Sequence, residues 1–266
     1  MAKRMSSTSR TIALIAVLAG ATVLAGCARD RTTTGSIPAQ SAKIDQMSPG
    51  EVRGIIPQLG KVYDKDPKNK ANALAFATAL RADGRNDQGL AVMKQLVIVH
   101  PKDREVLAAY GKSLASVGQF EPALDAVRRA QTPTLPDWKL MSAEGAILDQ
   151  LGQTASAREQ YRKALDIAPD EPSVLSNLGM SYLLEGDLKT SEVYMRKALE
   201  RSSTDERVRQ NLALVVGLQG RFDEAEKIAR QTLSPAEAEA NVAYLRSILA
   251  QQNTWAQLQK DGKPKS

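Results

Sequence analysis

The sequence predicts an all-α fold of stacked helix–turn–helix repeats, and three observations carry that prediction. Glycine recurs every 34 residues, at Gly84, Gly118, Gly152, Gly186 and Gly220, in a chain of 266 residues that holds only 17 glycines. Apolar residues make up 42% of the chain but aromatics only 4%. Alanine and leucine supply most of the apolar content, a mix that favours close-packed helices over a β-sandwich. Cysteine and histidine occur once each, as Cys27 and His100. That excludes a Cys/His zinc site and an internal disulfide.

Taken in order, the chain opens with Lys3, Arg4 and Arg10 and no acid, followed by an apolar-to-small run from Ile12 to Gly26 and then Cys27. This is the layout of a secretory signal, with an apolar stretch of about 13 residues, short of the roughly 20 that span a bilayer. Leu24-Ala25-Gly26-Cys27 resembles the lipobox of bacterial lipoproteins. The resemblance implies a signal peptide over 1–26, cleavage before Cys27, and lipid attachment at Cys27. Two or three acyl chains hold a domain at a membrane where one alone binds marginally. Ala28 and Arg29 follow, without the Asp that can retain such proteins at the inner membrane. The expected location is therefore the periplasmic side of an outer membrane. Loss of Lys3, Arg4 and Arg10 lowers the formal charge from +6 to +3. With no Lys/Arg run interleaved with aromatics, nucleic acid is not an expected partner.

Residues 27–50 are rich in Thr, Ser, Gly, Pro and charge, and read as a lipidated flexible tether. Residues 51–69 read as an N-terminal capping helix with Val52, Ile55, Ile56, Leu59 and Val62 on one face. Pro57 inside it predicts a kink or a later helix start.

From residue 70 the glycine ladder is one column among several of the same period. Seven residues before it stand Ala77, Gly111, Gly145, Gly179 and Ala213. Five after it come Gly89, Ala123, Ala157, Ser191 and Ala225, and nine after it Met93, Val127, Tyr161, Met195 and Ala229. This pattern resembles the tetratricopeptide repeat (TPR). The resemblance implies a superhelical solenoid of about five repeats, at 70–103, 104–137, 138–171, 172–205 and 206–239. Facing small residues let paired helices approach, and the ladder glycine supplies a left-handed turn between them. Pro101 and Pro169 close the first and third repeats. Pro235 opens a further helix with Val242, Leu245, Ile248 and Leu249 as its stripe, giving a C-terminal capping helix over 240–258. Trp255 and Leu258 extend it, and 259–266 is a polar tail.

No arrangement of catalytic residues is evident. The acids are scattered, His100 falls at a helix end before Pro101, and phosphate-loop, EF-hand and HExxH motifs are missing. The expected class is a non-enzymatic scaffold for protein partners, with no small-molecule substrate, no metal and no cofactor beyond the lipid on Cys27. Carried over column by column, the concave face of a TPR array includes Asn177, Met180 and Leu183 in the fourth repeat and Gln210, Asn211 and Leu214 in the fifth. Asn177 and Asn211 share a column, where amides could bond a peptide backbone as donor and acceptor. The Met and Leu side chains suit an amphipathic segment, or could instead pack against the next repeat.

The last repeats and the cap resemble a particular family. Leu175-Ser176-Asn177-Leu178-Gly179-Met180-Ser181-Tyr182, Val208-Arg209-Gln210-Asn211-Leu212-Ala213-Leu214, Gly217-Leu218-Gln219-Gly220-Arg221-Phe222 and Ala238-Glu239-Ala240-Asn241-Val242-Ala243-Tyr244-Leu245-Arg246 resemble the TadD-type lipoproteins of tight adherence (Flp) pilus assembly. The resemblance implies a pilotin-like role: binding a secretin subunit, or another pilus assembly subunit, and aiding its localisation or multimerisation. Contrasting readings of the same layout are a periplasmic adaptor for cell-wall hydrolases or proteases, and a β-barrel assembly component.

Overall fold

A computed structural model describes residue 44 and residues 47–261 except 133 and 204, with the helical backbone alone from 252 onward. The signal peptide, Cys27, most of the 27–50 tether and residues 262–266 lie outside the described residues. Those described form twelve α-helices and no strand, so the all-α class is as expected. They divide into two compact units, one ending at Pro169 and one beginning at Asp170.

In the first unit, α1 spans Pro49–Lys65. It starts where Ser48 and Glu51 form a reciprocal capping box: the Ser48 N–H donates to Glu51 Oε2 at 2.7 Å, and Glu51 N–H donates back to Ser48 Oγ at 3.4 Å. Pro57 lies inside α1, so the helix runs through it, without an N–H to offer the Arg53 carbonyl. Val52, Ile56 and Tyr63 are buried, while Val62 is 38% exposed. Tyr63 thus takes the inward position expected of Val62, because spacings of four and seven keep a side chain on the stripe that Val52 and Ile56 begin. Its ring lies 5.4 Å from that of Phe76, and its hydroxyl donates to Gln95 Oε1 at 2.6 Å.

Three helix pairs follow: α2 and α3 (Lys70–Ala82, Asn86–Val99), α4 and α5 (Arg104–Ser116, Phe120–Ala130), and α6 and α7 (Trp138–Gln150, Thr154–Ile167). Within each pair the turn is closed at the ladder glycine. Gly84, Gly118 and Gly152 have φ of 78°, 79° and 73°. The next N–H reaches back five residues, from Arg85 to the Leu80 carbonyl, Gln119 to Leu114 and Gln153 to Leu148, which satisfies carbonyls the helix end would leave open. A Cβ at these glycines would meet nothing within 4 Å, so the requirement is conformational alone.

The mid-helix glycines have a different cause. A Cβ on Gly111 would lie 2.7 Å from Val127 and 3.1 Å from the Ala123 carbonyl; one on Gly145 would lie 2.7–2.9 Å from the Tyr161 ring. The small column of the first helix therefore meets both the backbone at the second helix's small column and the large side chain one turn on. The second pair departs from its neighbours at its end. α5 has 11 residues where α3 and α7 have 14, and a Thr132–Leu135 bridge follows it. Pro133 and Pro136 explain the early stop, since each lacks a helical donor and disfavours helix in the residue before it.

The second unit holds α8 (Pro172–Glu185), α9 (Leu188–Arg201), α10 (Glu206–Leu218), α11 (Phe222–Ala229) and α12 (Pro235–Asp261). Gly186 and Gly220 close its two turns at φ 85° and 82°. α11 is cut to eight residues, and Ser234 then caps α12 through a second box with Glu237. The last helix so begins inside the stretch that periodicity assigns to the fifth repeat. Its Leu245 fills the space over Gly217, where a Cβ would come within 2.9 Å.

Candidate functional site

The candidate surface comes from α8 and α10, which pack side by side in the second unit. Glu171 caps α8 by accepting the Ser173 N–H at 3.2 Å, with Pro172 at the first helical position. Asp205 caps α10 by accepting from Arg207 and Val208 at 3.0 and 3.2 Å. Equal starts put Asn177 and Asn211 at equal heights on neighbouring helices. Both are half-buried, as is Leu214, and Gln210 is exposed. Among the described residues, the Gln210 and Asn211 side chains have no hydrogen-bond partner, so both amides stand ready for an external one.

The apolar part of the expected surface is smaller. Leu183 is wholly buried and Met180 is only 7% exposed. Leu183 belongs to the core and not to an open face, because it lies one turn on from Met180, beside the Gly186 turn where the chain folds back on itself. What stays accessible is Asn177, Gln210, Asn211 and Leu214, with half-buried Leu184 and Leu218 beside them.

The equivalent positions of the first unit are closed. Leu74, Ser142, Ala146 and Asp149 are all buried. Asp149 accepts a hydrogen bond from the Tyr161 hydroxyl at 3.0 Å. Burial, and then the Asp149 carboxylate, push the Tyr161 phenol well above its ordinary range, so it serves as a neutral donor. Glu144, 4% exposed, accepts from Arg128 Nε at 2.9 Å and Gln131 Nε2 at 2.6 Å. These are satisfied interior groups that fix α6 against α5 and α7. His100 ends α3, with Nε2 3.2 Å from the Lys68 carbonyl.

One functional column of the sequence escaped the periodicity reading. Asn69, Asp103, Asp137, Glu171 and Asp205 are also 34 residues apart, and each caps the first helix of a repeat with its side chain. The signal was present as a run of Asx and Glu fifteen residues before each ladder glycine. In the first unit the cap also joins repeats: Lys70 Nζ lies 3.0 Å from Asp103, and Arg104 Nη2 lies 3.2 Å from Asp137. Among the described residues no three His, Cys, Asp or Glu side chains converge as a metal site, and no helix is long and apolar enough to cross a membrane.

A tetratricopeptide-repeat family model matches residues 74–136 and 143–206. No curated protein matches. Among solved structures, the chain is similar to one in the APC/C hetero-tetramer Cut9–Hcn1, at 14% identity and a TM-score of 0.65 over 91% of this chain. It spans 47% of that chain's length. It is similar to TTC0263, a thermophilic TPR protein of Thermus thermophilus, at 22% identity and a TM-score of 0.59, covering 66% of this chain and 98% of that one. A TPR protein of Parabacteroides merdae aligns at 17% identity and a TM-score of 0.58 over 80% of this chain and 87% of that chain. At these identities the likeness concerns the fold, which is that of stacked tetratricopeptide repeats. Such repeats form scaffolds for protein–protein interaction and are generally non-catalytic.

Proposed function

We propose that this chain, an all-α tetratricopeptide-repeat protein, is an outer-membrane-anchored scaffold lipoprotein of Flp pilus assembly, pilotin-like in action. Acylated Cys27 holds it on the periplasmic side, and the face of α8 and α10 takes a segment of a secretin subunit, aiding its localisation or multimerisation. The observation that carries the binding half is the level pair Asn177 and Asn211, with Gln210 and Leu214 accessible beside them. Carboxamides serve a peptide backbone in both directions, and the neighbouring Leu side chains add apolar contact. The lipobox-like Leu24–Cys27 and the sequence resemblance of the last repeats support the anchor and the system.

The test is co-purification from membranes with the tagged full chain. A secretin is expected in the eluate, and Asn177→Ala with Asn211→Ala is expected to lower its recovery severalfold at an unchanged melting temperature. Cys27→Ala should remove the chain from the outer-membrane fraction. Unchanged capture by the double variant overturns the surface; recovery of cell-wall hydrolases in place of a secretin favours the adaptor reading.

A further inference from the structure

We propose that α12 is a self-docking helix through which two copies of the chain pair antiparallel. At 27 residues it is about twice as long as the repeat helices, roughly 40 Å at 1.5 Å per residue. It carries two stripes. Ala238, Val242 and Leu245 are buried, with half-buried Leu249 continuing their line, and Leu245 packs over Gly217. The second stripe lies about a third of a turn around the helix, at 100° per residue. It runs through Asn241, Tyr244, Ile248 and Gln251 and continues in register to Trp255 and Leu258. Its spacing alternates three and four without a break, the heptad of a helix that pairs with another. Tyr244, a large aromatic, is 55% exposed there, and Gln251 is exposed.

Charge selects the occupant and its direction. Glu237 and Glu239 stand at the start of α12; Lys260, Lys263 and Lys265 stand at and beyond its end, against Asp261 alone. Parallel copies would set like charges together, whereas antiparallel copies set acidic start against basic end. In that register Gln251 faces its own copy, Ile248 faces position 255, and Tyr244 faces position 258. A Gln carboxamide can donate to and accept from its twin, and one polar position within a seam fixes register. The arrangement is closed by a two-fold axis through Gln251.

The experiment is thiol cross-linking of the full chain in a Cys27→Ser background, so that each introduced cysteine is the sole thiol. Gln251→Cys should give the dimer as its main product. Tyr244→Cys and Leu258→Cys should each give none alone, and should give it when the two chains are co-expressed. Adding Trp255→Glu to Gln251→Cys should abolish the dimer while helicity by circular dichroism stays unchanged. Absence of a Gln251→Cys dimer overturns the proposal. So does self-cross-linking of Tyr244→Cys, which would mean parallel pairing, and so does an adduct of another mass, which would mean a different protein on this stripe.

Discussion

The two units share one repeat backbone and join their repeats differently. In the first, the joint lies at the start of each pair's leading helix: Lys70 reaches Asp103 and Glu105, and Arg104 reaches Asp137 and the Ala130 carbonyl. In the second, Pro172 occupies the matching place and carries no charge. There the joint moves to the following helix. Glu192 meets Arg196 and Arg221 at 2.6 Å each and accepts from Gln219 at 2.8 Å, while Glu224 closes the cluster at 2.7 Å from Arg196. The packing differs in the same sense. The first unit sets Val127 and a fully buried Tyr161 against glycines, and the second sets the more pliable Met195 against Gly179. A period of 34 residues specifies where helices meet; the residues in each column decide how rigidly.

The largest test of that contrast is Gly145→Ala against Gly179→Ala. In an open helix each change would stabilise by about 1 kcal/mol. At Gly145 the new Cβ would lie 2.7 Å from a ring that cannot retreat, and a net loss of about 1–3 kcal/mol is expected in chemical denaturation. At Gly179 the nearest atom is the Met195 methyl at 3.1 Å, and the expected loss is under about 1 kcal/mol. Equal losses would erase the distinction between the units.

Next in size is Gly152→Val. With φ at 73° and open space around the site, the cost is that of a β-branched residue in left-handed backbone, more than about 1 kcal/mol. Gly220→Val should match it, because the turns are alike even where the joints are not; a neutral result at either would refute the conformational argument.

The smallest effect is on acid response, and its sign differs between units. At Glu192 burial works upward, but Gln219, Arg196 and Arg221 carry its pKa below the ordinary value; hydrogen bonds from Arg196 and Arg221 lower that of Glu224. Their contribution is present above the unfolded pKa and lost as pH falls through the folded one. At Glu105 burial prevails over Lys70 and raises the pKa, so its contribution is present below the unfolded value and lost as pH rises through the folded one. Thermal melts from neutral pH down into the carboxylate range should therefore show Glu192→Gln less acid-sensitive than the parent and Glu105→Gln more so. Identical profiles would mean the two joints are electrostatically equivalent.

Much of this was legible in the chain itself. The glycine ladder located all five turns, since no other residue holds positive φ so cheaply, and the alanine and glycine columns located the helix–helix contacts. The cap column Asn69–Asp205 was equally legible, though it reads as scattered acids until helix starts are known. Less legible was which side of a helix a given residue would face at the ends. Tyr63 displaced Val62, and Leu183 entered the core, because a shift of one residue turns a side chain by about 100°. The candidate surface was half legible for the same reason: its amides stay accessible, while part of its apolar lining is interior.

The sequence by itself determined the repeat length, the all-α class and the five left-handed turns, because these follow from local backbone chemistry repeated at a fixed interval. The tertiary structure alone decided which polar residues became joints, which became buried partners such as Asp149 and Tyr161, and which remained free to bind. Those outcomes depend on neighbours that are distant along the chain, and only packing brings such residues within the roughly 3 Å at which charge and hydrogen bonding act.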